Sequence, residues 1–389
     1  MYQFDAERIH NQKSPIHLYF ICVILLLGTG LVTFYSASYA FILRNGNNLV
    51  VKQVIFAGVG ILIFIVCTFI SIDLLRKLIK FGIIITIVLC SLILIPNIRV
   101  EHSGAARWIQ IGPLTYQPSE MIKFIIPLYL AHVIDKKSEN ISKFKLGILT
   151  PLLMIIIFLI LIFFQNNLST AVFIFLNAVI ILFIGGVPLR YFFTAIAVVS
   201  PVIAFIIFSR EHRVTRLVSF LSPNWDPGGA TYQISGSKDA IISGGFWGKG
   251  IGEGTRKIAS IPEIHSDFIF SSYVEETGFL GVLLFFALFA AFAFLGYRTA
   301  LKSSTMFGRL LAAGLTTMII SQALLNVAVV SGALPATGIP LPFFSAGGSS
   351  LLTTLICAGV IANVARTESA VVSSDSSNII FKTSEDSDE

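Results

Sequence analysis

Uninterrupted apolar runs, each about as long as a bilayer core is thick, restrict this chain more than any other feature. The clearest is 151–164, Pro-Leu-Leu-Met-Ile-Ile-Ile-Phe-Leu-Ile-Leu-Ile-Phe-Phe. Its twelve Leu, Ile and Phe residues, at ~0.5 kcal/mol each, contribute ~6 kcal/mol towards insertion. Crossing ~30 Å of hydrocarbon takes ~20 residues of helix. Ten stretches meet that demand: 17–40, 50–70, 78–97, 118–134, 147–164, 168–187, 191–209, 267–297, 307–330 and 346–365. They are continuous rather than alternating, which excludes a transmembrane β-barrel. Composition closes off the remaining classes. Of 389 residues, 55% are hydrophobic, 34 are Phe and only 12% are charged. A soluble domain of this size could not hide that much apolar surface, and a disordered or collagen-like chain would not carry it. The expected fold is an all-α polytopic membrane protein of about ten transmembrane helices, with a large extracytoplasmic loop between helices 7 and 8.

The distribution of Lys and Arg orients such a bundle. With the N-terminus in the cytoplasm, the inner segments hold fifteen of them and the short outer loops only Arg44, Lys52, Arg99 and Arg107; the long outer segment 210–265 adds seven, but long loops are weak determinants. Both termini are therefore expected inside. The net charge of +6 is then inner-face anchoring and no sign of a nucleic-acid partner. The first span is longer than a signal-peptide core and lacks an Ala-x-Ala ending, so it is expected to remain. Cys22, Cys67, Cys90 and Cys357 all lie in apolar spans, as small core residues do, and indicate no disulfide or Cys metal site. Two outer segments, 98–117 and 210–265, exceed simple connectors, and long loops usually carry function. Residues 1–366 are expected to form the membrane domain. Residues 367–389, with seven Ser and six acids, are expected to be a disordered cytoplasmic tail.

Four segments hold the polar chemistry. In 104–123, Pro118 suits the first turn of a helix. Glu120 and Lys123 share a face three residues apart, either as a structural ion pair or as a site wall that offers Lys123 and Arg107 to an anion. In 243–257, Gly-x-Gly spacing surrounds Lys249, Arg256 and Lys257. This is no P-loop, because Gly250 follows Lys249 where Ser or Thr is required. It reads as a flexible loop or as a backbone surface with phosphate contacts. In 262–281, Asp267 opens the eighth span as a helix cap or as a half-desolvated general base. His265 stands two residues away, and Glu275 and Glu276 are expected two turns deeper. In 326–350, Pro335, Pro340 and Pro342 break the helix. Such backbone is tolerated at membrane depth only inside protein or beside a cavity. Ser345, Gly347, Gly348 and Ser349 then begin the tenth span with N–H donors suited to an anion. No metal-ligand spacing is present.

These residues resemble the SEDS family of cell-wall proteins (shape, elongation, division and sporulation). The motifs that carry the likeness are Gly-Ala-x-Arg-Trp-Ile with Gln-Pro-Ser-Glu-x-x-Lys (104–123), Tyr-Gln-x-x-x-Ser-x-x-Ala-Ile-x-Ser-Gly-Gly (232–245), Pro-Glu-x-His-x-Asp-Phe-Ile-Phe with Glu-Glu-x-Gly (262–278), and Leu-Pro-x-Thr-Gly-Ile-Pro-Leu-Pro-Phe-x-Ser-x-Gly-Gly-Ser (334–349). The Gly-Thr-Arg-Lys segment and Ser349-Ser350 look more like the FtsW branch than the RodA branch. Two departures stand out: Asn167 replaces an acid common in the family, and Ala346 replaces a Tyr.

The resemblance implies a peptidoglycan glycosyltransferase that polymerises lipid II on the outer face of the cytoplasmic membrane. It also implies a class B penicillin-binding transpeptidase of the FtsI type and other divisome proteins as partners. The family aspartate falls on Asp267, and Arg107, Glu120 and Lys123 fall on positions linked to the site. A divalent cation (Mg or Mn) is an allowed helper for the leaving diphosphate, although no ligand set is legible. The rivals are a lipid II flippase, an elongation-type polymerase and a scaffold without chemistry. A flippase needs polar groups reachable from both faces in turn. Here they gather in the outer loops and outer helix ends, which favours an enzyme.

Overall fold

The computed structural model describes residues 16–385 apart from 47, 97, 103–104, 113, 210–213, 216–217, 219, 222–229 and 256–263. Among these are eleven α-helices: α1 (Ile16–Asn45), α2 (Asn48–Phe69), α3 (Ile72–Leu92), α4 (Pro118–Lys136), α5 (Leu149–Phe164), α6 (Leu168–Ile184), α7 (Leu189–Phe208), α8 (Ala230–Gly244), α9 (Ile269–Lys302), α10 (Met306–Val330) and α11 (Gly348–Glu385). Each of the ten apolar stretches is helical, and the chain is an all-α polytopic membrane protein. Seven helices are long and apolar enough to cross a membrane: α1, α2, α5 with the π-turn before it, α7, α9, α10 and α11. Among the other four, α6 is a shorter apolar helix. α3 carries Asp73, Arg76, Lys77 and Lys80, and α4 carries Glu120 and Lys123.

Burial orders the bundle. α4, α10 and α11 are mostly buried and form its centre, while no residue of α7 is buried. α11 lies along α2 at a separation that small residues permit. A Cβ on Gly60 would meet Leu355, one on Gly348 the ring of Phe56, and one on Gly359 the backbone of Phe64. Without a hydrophobic drive between helices in lipid, such close packing is what holds them.

Long-range contacts sort the helix ends. At one end Arg107 Nη2 donates to Asn166 O at 2.6 Å, Gln117 N to Ser349 Oγ at 2.9 Å and Ala346 N to His265 O at 2.9 Å. At the other, Arg76 pairs with Asp135 at 2.9 Å, Arg366 Nε donates to Thr68 O at 3.0 Å, and Arg190 Nη2 to Ser142 O at 3.2 Å. The segments expected to hold chemistry all fall at the first end.

Several local expectations change. The connection 98–117 was expected as a loop. It contains a three-stranded antiparallel meander, β1 (Arg99–His102), β2 (Ala105–Ile111) and β3 (Leu114–Tyr116), turned at Gly112 with φ 59°. The long segment 210–265 contains α8, anchored where Ser237 Oγ donates to Val330 O at 2.8 Å. The backbone of α11 runs on through the acidic segment to Glu385. No Gly or Pro follows Gly359 to stop that helix.

The largest correction concerns the eighth span. It opens at Ile269 rather than Asp267 and breaks at Gly278, whose φ of 64° and ψ of −160° are non-helical. In a straight helix Phe270 and Phe285 would stand ~22 Å apart along the axis. Their ring centroids are 4.9 Å apart, and Tyr273 Oη donates to Gly281 O at 2.8 Å. Residues 269–277 therefore fold back along residues 281–289. Glu275 and Glu276 consequently do not lie two turns deeper than Asp267. They sit beside the reversal.

The proline-bearing segment 331–347 dips into the bundle beside this hairpin. Phe344 packs on Tyr273, Phe285 and Phe289, and Phe343 packs on Phe292 at 5.9 Å. Phe292 is ~20 Å along α9 from Phe279. Both phenylalanines are buried, so residues 339–345 of this irregular backbone are packed inside protein, where their polar groups need protein partners.

Candidate active site

Asp267 precedes the reversed half-helix, one residue before the N-cap Phe268. Three neighbouring carbonyls fix its backbone. His265 O accepts from Ala346 N at 2.9 Å, Ser266 O from Ser345 Oγ at 2.6 Å, and Asp267 O from Asn326 Nδ2 at 2.9 Å. The Asp267 side chain is half-buried, and its Oδ2 would lie 3.4 Å from a Cβ placed on Gly338. Gly338 is exposed and has φ 67°. The carboxylate thus meets the molecular surface at a backbone turn with no side chain.

A second layer of amides supports this seat. Asn326 Nδ2 also donates to Ile339 O at 2.9 Å, and Gln322 Nε2 to Pro340 O at 2.8 Å. Gln322 Oε1 accepts from Lys123 Nζ at 3.1 Å, and Lys123 pairs with Glu120 at 2.7 Å. Both charged side chains are almost fully buried. The spacing of Glu120 and Lys123 predicts their pairing, and α4 does begin at Pro118. The pair forms one end of a strut running from α4 through α10 to the dipping segment. Tyr116 stands before it. Its phenol is pushed up to about 12, first by burial and then by the Glu120 carboxylate, so it stays a neutral hydroxyl.

The start of α11 is already engaged. Ser349 Oγ accepts from Gln117 N, Gly347 N donates to Gln53 Oε1 at 3.4 Å, and Ser345 Oγ accepts from Leu341 N at 2.7 Å. Of the residues expected to offer donors to an anion, Gly347 uses its N–H here, and the hydroxyls of Ser345 and Ser349 fasten loop to helix. Gly348 permits the close approach to Phe56.

The glycine-rich loop braces the break in α9. Lys249 N and Gly250 N donate to Glu275 O and Glu276 O, both at 3.0 Å, and Phe279 N donates to Gly245 O at 3.0 Å. These bonds satisfy the backbone opened by the break at Gly278. Lys249 Nζ pairs with the buried Glu275 carboxylate at 2.6 Å, and Thr255 N also donates to that oxygen at 3.1 Å. Ser36 Oγ donates to Glu276 at 2.6 Å. Arg256 and Lys257 lie outside the described residues. Arg107 reaches the carbonyl of Asn166, and Asn167 caps α6 by accepting from Thr170 N at 3.4 Å.

His265, Asp267 and Ser345 therefore share one cluster, and Glu120 and Lys123 reach it through Gln322. Lys249 belongs to the α9 latch. Gln53, Gln322, Asn326 and Gly338 were not expected at the site. The available signal was Gln322 and Asn326, two amides at i and i+4 that share one face of an otherwise apolar helix. Among the described residues no group of three or more His, Cys, Asp or Glu side chains is placed to hold a metal ion.

Fold and site define a multi-pass helical membrane protein with an acidic, amide-braced centre at one end of the bundle. The chain belongs to the FtsW/RodA/SpoVE family of cell cycle proteins, whose model matches residues 16–370. It is 38% identical over 355 residues to a probable peptidoglycan glycosyltransferase FtsW of Borreliella burgdorferi, covering 90% of this chain and 96% of that one. It is 35% identical over 347 residues to the protein of the same description from Trichlorobacter lovleyi, covering 88% and 91%. These likenesses put it on the FtsW branch. Its fold also matches a chain in a solved peptidoglycan synthase complex, with a TM-score of 0.77 at 26% identity over 90% of this chain and 97% of that one.

Proposed function

We propose that this chain is a peptidoglycan glycosyltransferase that extends glycan strands from lipid II during septal wall synthesis, with Asp267 as general base. The observation that supports this most is the seat of Asp267, a half-buried carboxylate with its own and both preceding carbonyls tied down, facing an exposed glycine turn. In the reaction the acceptor sugar hydroxyl gives its proton to Asp267. Its oxygen forms a bond to the donor's anomeric carbon, and the bond from that carbon to the undecaprenyl diphosphate oxygen breaks. A positioned base is worth ~10²–10⁴-fold. The departing diphosphate needs positive partners placed in advance. Lys123 and Lys249 are matched by Glu120 and Glu275, so this role is assigned to Arg107 with Arg256 and Lys257.

In this reading residues 1–366 form the catalytic membrane unit. Both termini are cytoplasmic, because fifteen Lys and Arg fall in the segments opposite Asp267 against four in the short loops at its own end, a long segment such as 210–265 being a weak determinant of orientation. The site then opens on the outer face, where lipid II is presented. The partner is a class B penicillin-binding transpeptidase of the FtsI type within the division machinery. The test supplies purified chain, with and without that transpeptidase, with lipid II in detergent. Glycan polymer is expected on a gel from the pair. Intact lipid II in every arm would overturn the proposal.

A further inference from the structure

Asn326 makes two bonds with one nitrogen. Nδ2 donates to Asp267 O and to Ile339 O, each at 2.9 Å. These carbonyls belong to two segments far apart in sequence, the one carrying the carboxylate and the one carrying Gly338. Asn326 is 1% exposed, and its Oδ1 is buried with no hydrogen-bond partner. A buried amide acceptor left unmatched costs roughly 1–3 kcal/mol. A residue needed only for packing would be replaced by an apolar one of the same shape at little cost. Four residues earlier, Gln322 braces Pro340 O from the same helix and takes its own support from Lys123.

We propose that Asn326 is a positioning residue for the Asp267 base, clamping its backbone to the Gly338–Ile339 turn and so setting the gap through which an acceptor hydroxyl reaches the carboxylate. The inference rests on the reading of Asp267 given above. It requires that the amide hydrogens, not the volume of the side chain, do the work. Displacing a reacting group by ~1 Å costs up to ~10²-fold, which sets the scale of the effect.

The test compares Asn326→Asp, Asn326→Ser and Asn326→Ala with the wild type, each purified with its transpeptidase and supplied with lipid II. Asn326→Asp keeps the shape, removes both donor hydrogens and adds a negative charge beside Asp267. The charged groups on the surrounding elements are His265 on the same segment, the paired Glu120 and Lys123 on α4, and Lys238 of α8 against Gly332. Residues 321–330 and 331–347 contribute none. A like charge disfavours ionisation. The acid limb of the pH–rate profile is therefore expected to move to higher pH, and kcat to fall about 10- to 100-fold with KM unchanged. Asn326→Ser, which keeps one donor, is expected to recover part of the kcat lost in Asn326→Ala. A folded Asn326→Asp with the wild-type kcat and acid limb overturns the inference. If that variant does not fold, equal kcat in the Ser and Ala variants overturns it. Asp267→Asn is run in parallel. Full activity there sinks the base assignment itself, whereas activity that needs Asp267 but ignores Asn326 sinks this inference alone.

Discussion

Gly278→Ala separates the folded-back α9 from a continuous helix by the sign of its effect. In the interior of a straight helix, alanine is favoured over glycine by ~1 kcal/mol. Here φ is 64° and ψ −160°, a region close to glycine-only, where another residue costs on the order of 1–3 kcal/mol. The added Cβ would also strike Gly248 N and stand 2.7 Å from Phe246 O. Backbone cannot rotate aside as a side chain can, so the loop must detach. Detachment removes the bonds from Lys249 N, Gly250 N and Phe279 N, each 3.0 Å, at ~1 kcal/mol apiece. The total loss is about 4–6 kcal/mol. Thermal unfolding of the purified protein measures it, and protease cleavage within 245–255 reports release of the loop. Gly58→Ala, whose Cβ would meet nothing within 4 Å, is the control and should be neutral or slightly stabilising. A Gly278→Ala protein at least as stable as the wild type, with the loop still protected, would refute the reversal.

Other outcomes follow from the same contacts. Lys123→Met should destabilise by about 3–5 kcal/mol because it leaves Glu120 charged and buried, and adding Glu120→Gln should restore most of that in the same melting assay. Lys249→Met should cost more than Glu275→Gln, since the carboxylate is 0% exposed and the ammonium 30%. The stranded lysine can turn to water and the stranded acid cannot. Gly338→Ala should lower polymerisation of lipid II, because its methyl would stand 3.4 Å from Asp267 Oδ2, and should also lower the melting temperature by an amount corresponding to about 1 kcal/mol, because φ is 67° there. A cysteine placed at Trp247, which is 76% exposed, should react with a membrane-impermeant maleimide added to whole spheroplasts. A reporter fused after Arg366 should report the cytoplasm.

The helices were legible because burying apolar surface in lipid requires long continuous runs, and 151–164 or 307–330 allow no other reading. The Glu120–Lys123 pair was legible because i and i+3 fix two side chains on one face. The break at Gly278 was not. A lone glycine between Thr277 and Phe279 looks the same in a straight helix, and the reversal depends on N–H donors to the Glu275 and Glu276 carbonyls supplied by Lys249 and Gly250 about thirty residues earlier. The pairing of Lys249 was hidden for the same reason, since its buried counter-charge, Glu275, is distant in sequence. The meander at 99–116 was hidden by short strands and a register shift between Val100 and Glu101. Asp267 was visible as an acid at the mouth of a span. What seats it there, Asn326 and Gly338, lay in a helix and a turn that only the folded chain brings together.

The reading as a whole depends on the carboxylate of Asp267. The most direct measurement is the initial rate of lipid II polymerisation by purified Asp267→Asn and wild-type protein, each paired with its transpeptidase, alongside their affinities for lipid II. Loss of one base predicts a fall of ~10²–10⁴-fold in rate with unchanged affinity and melting temperature. Polymer formed by Asp267→Asn at the wild-type rate would contradict it.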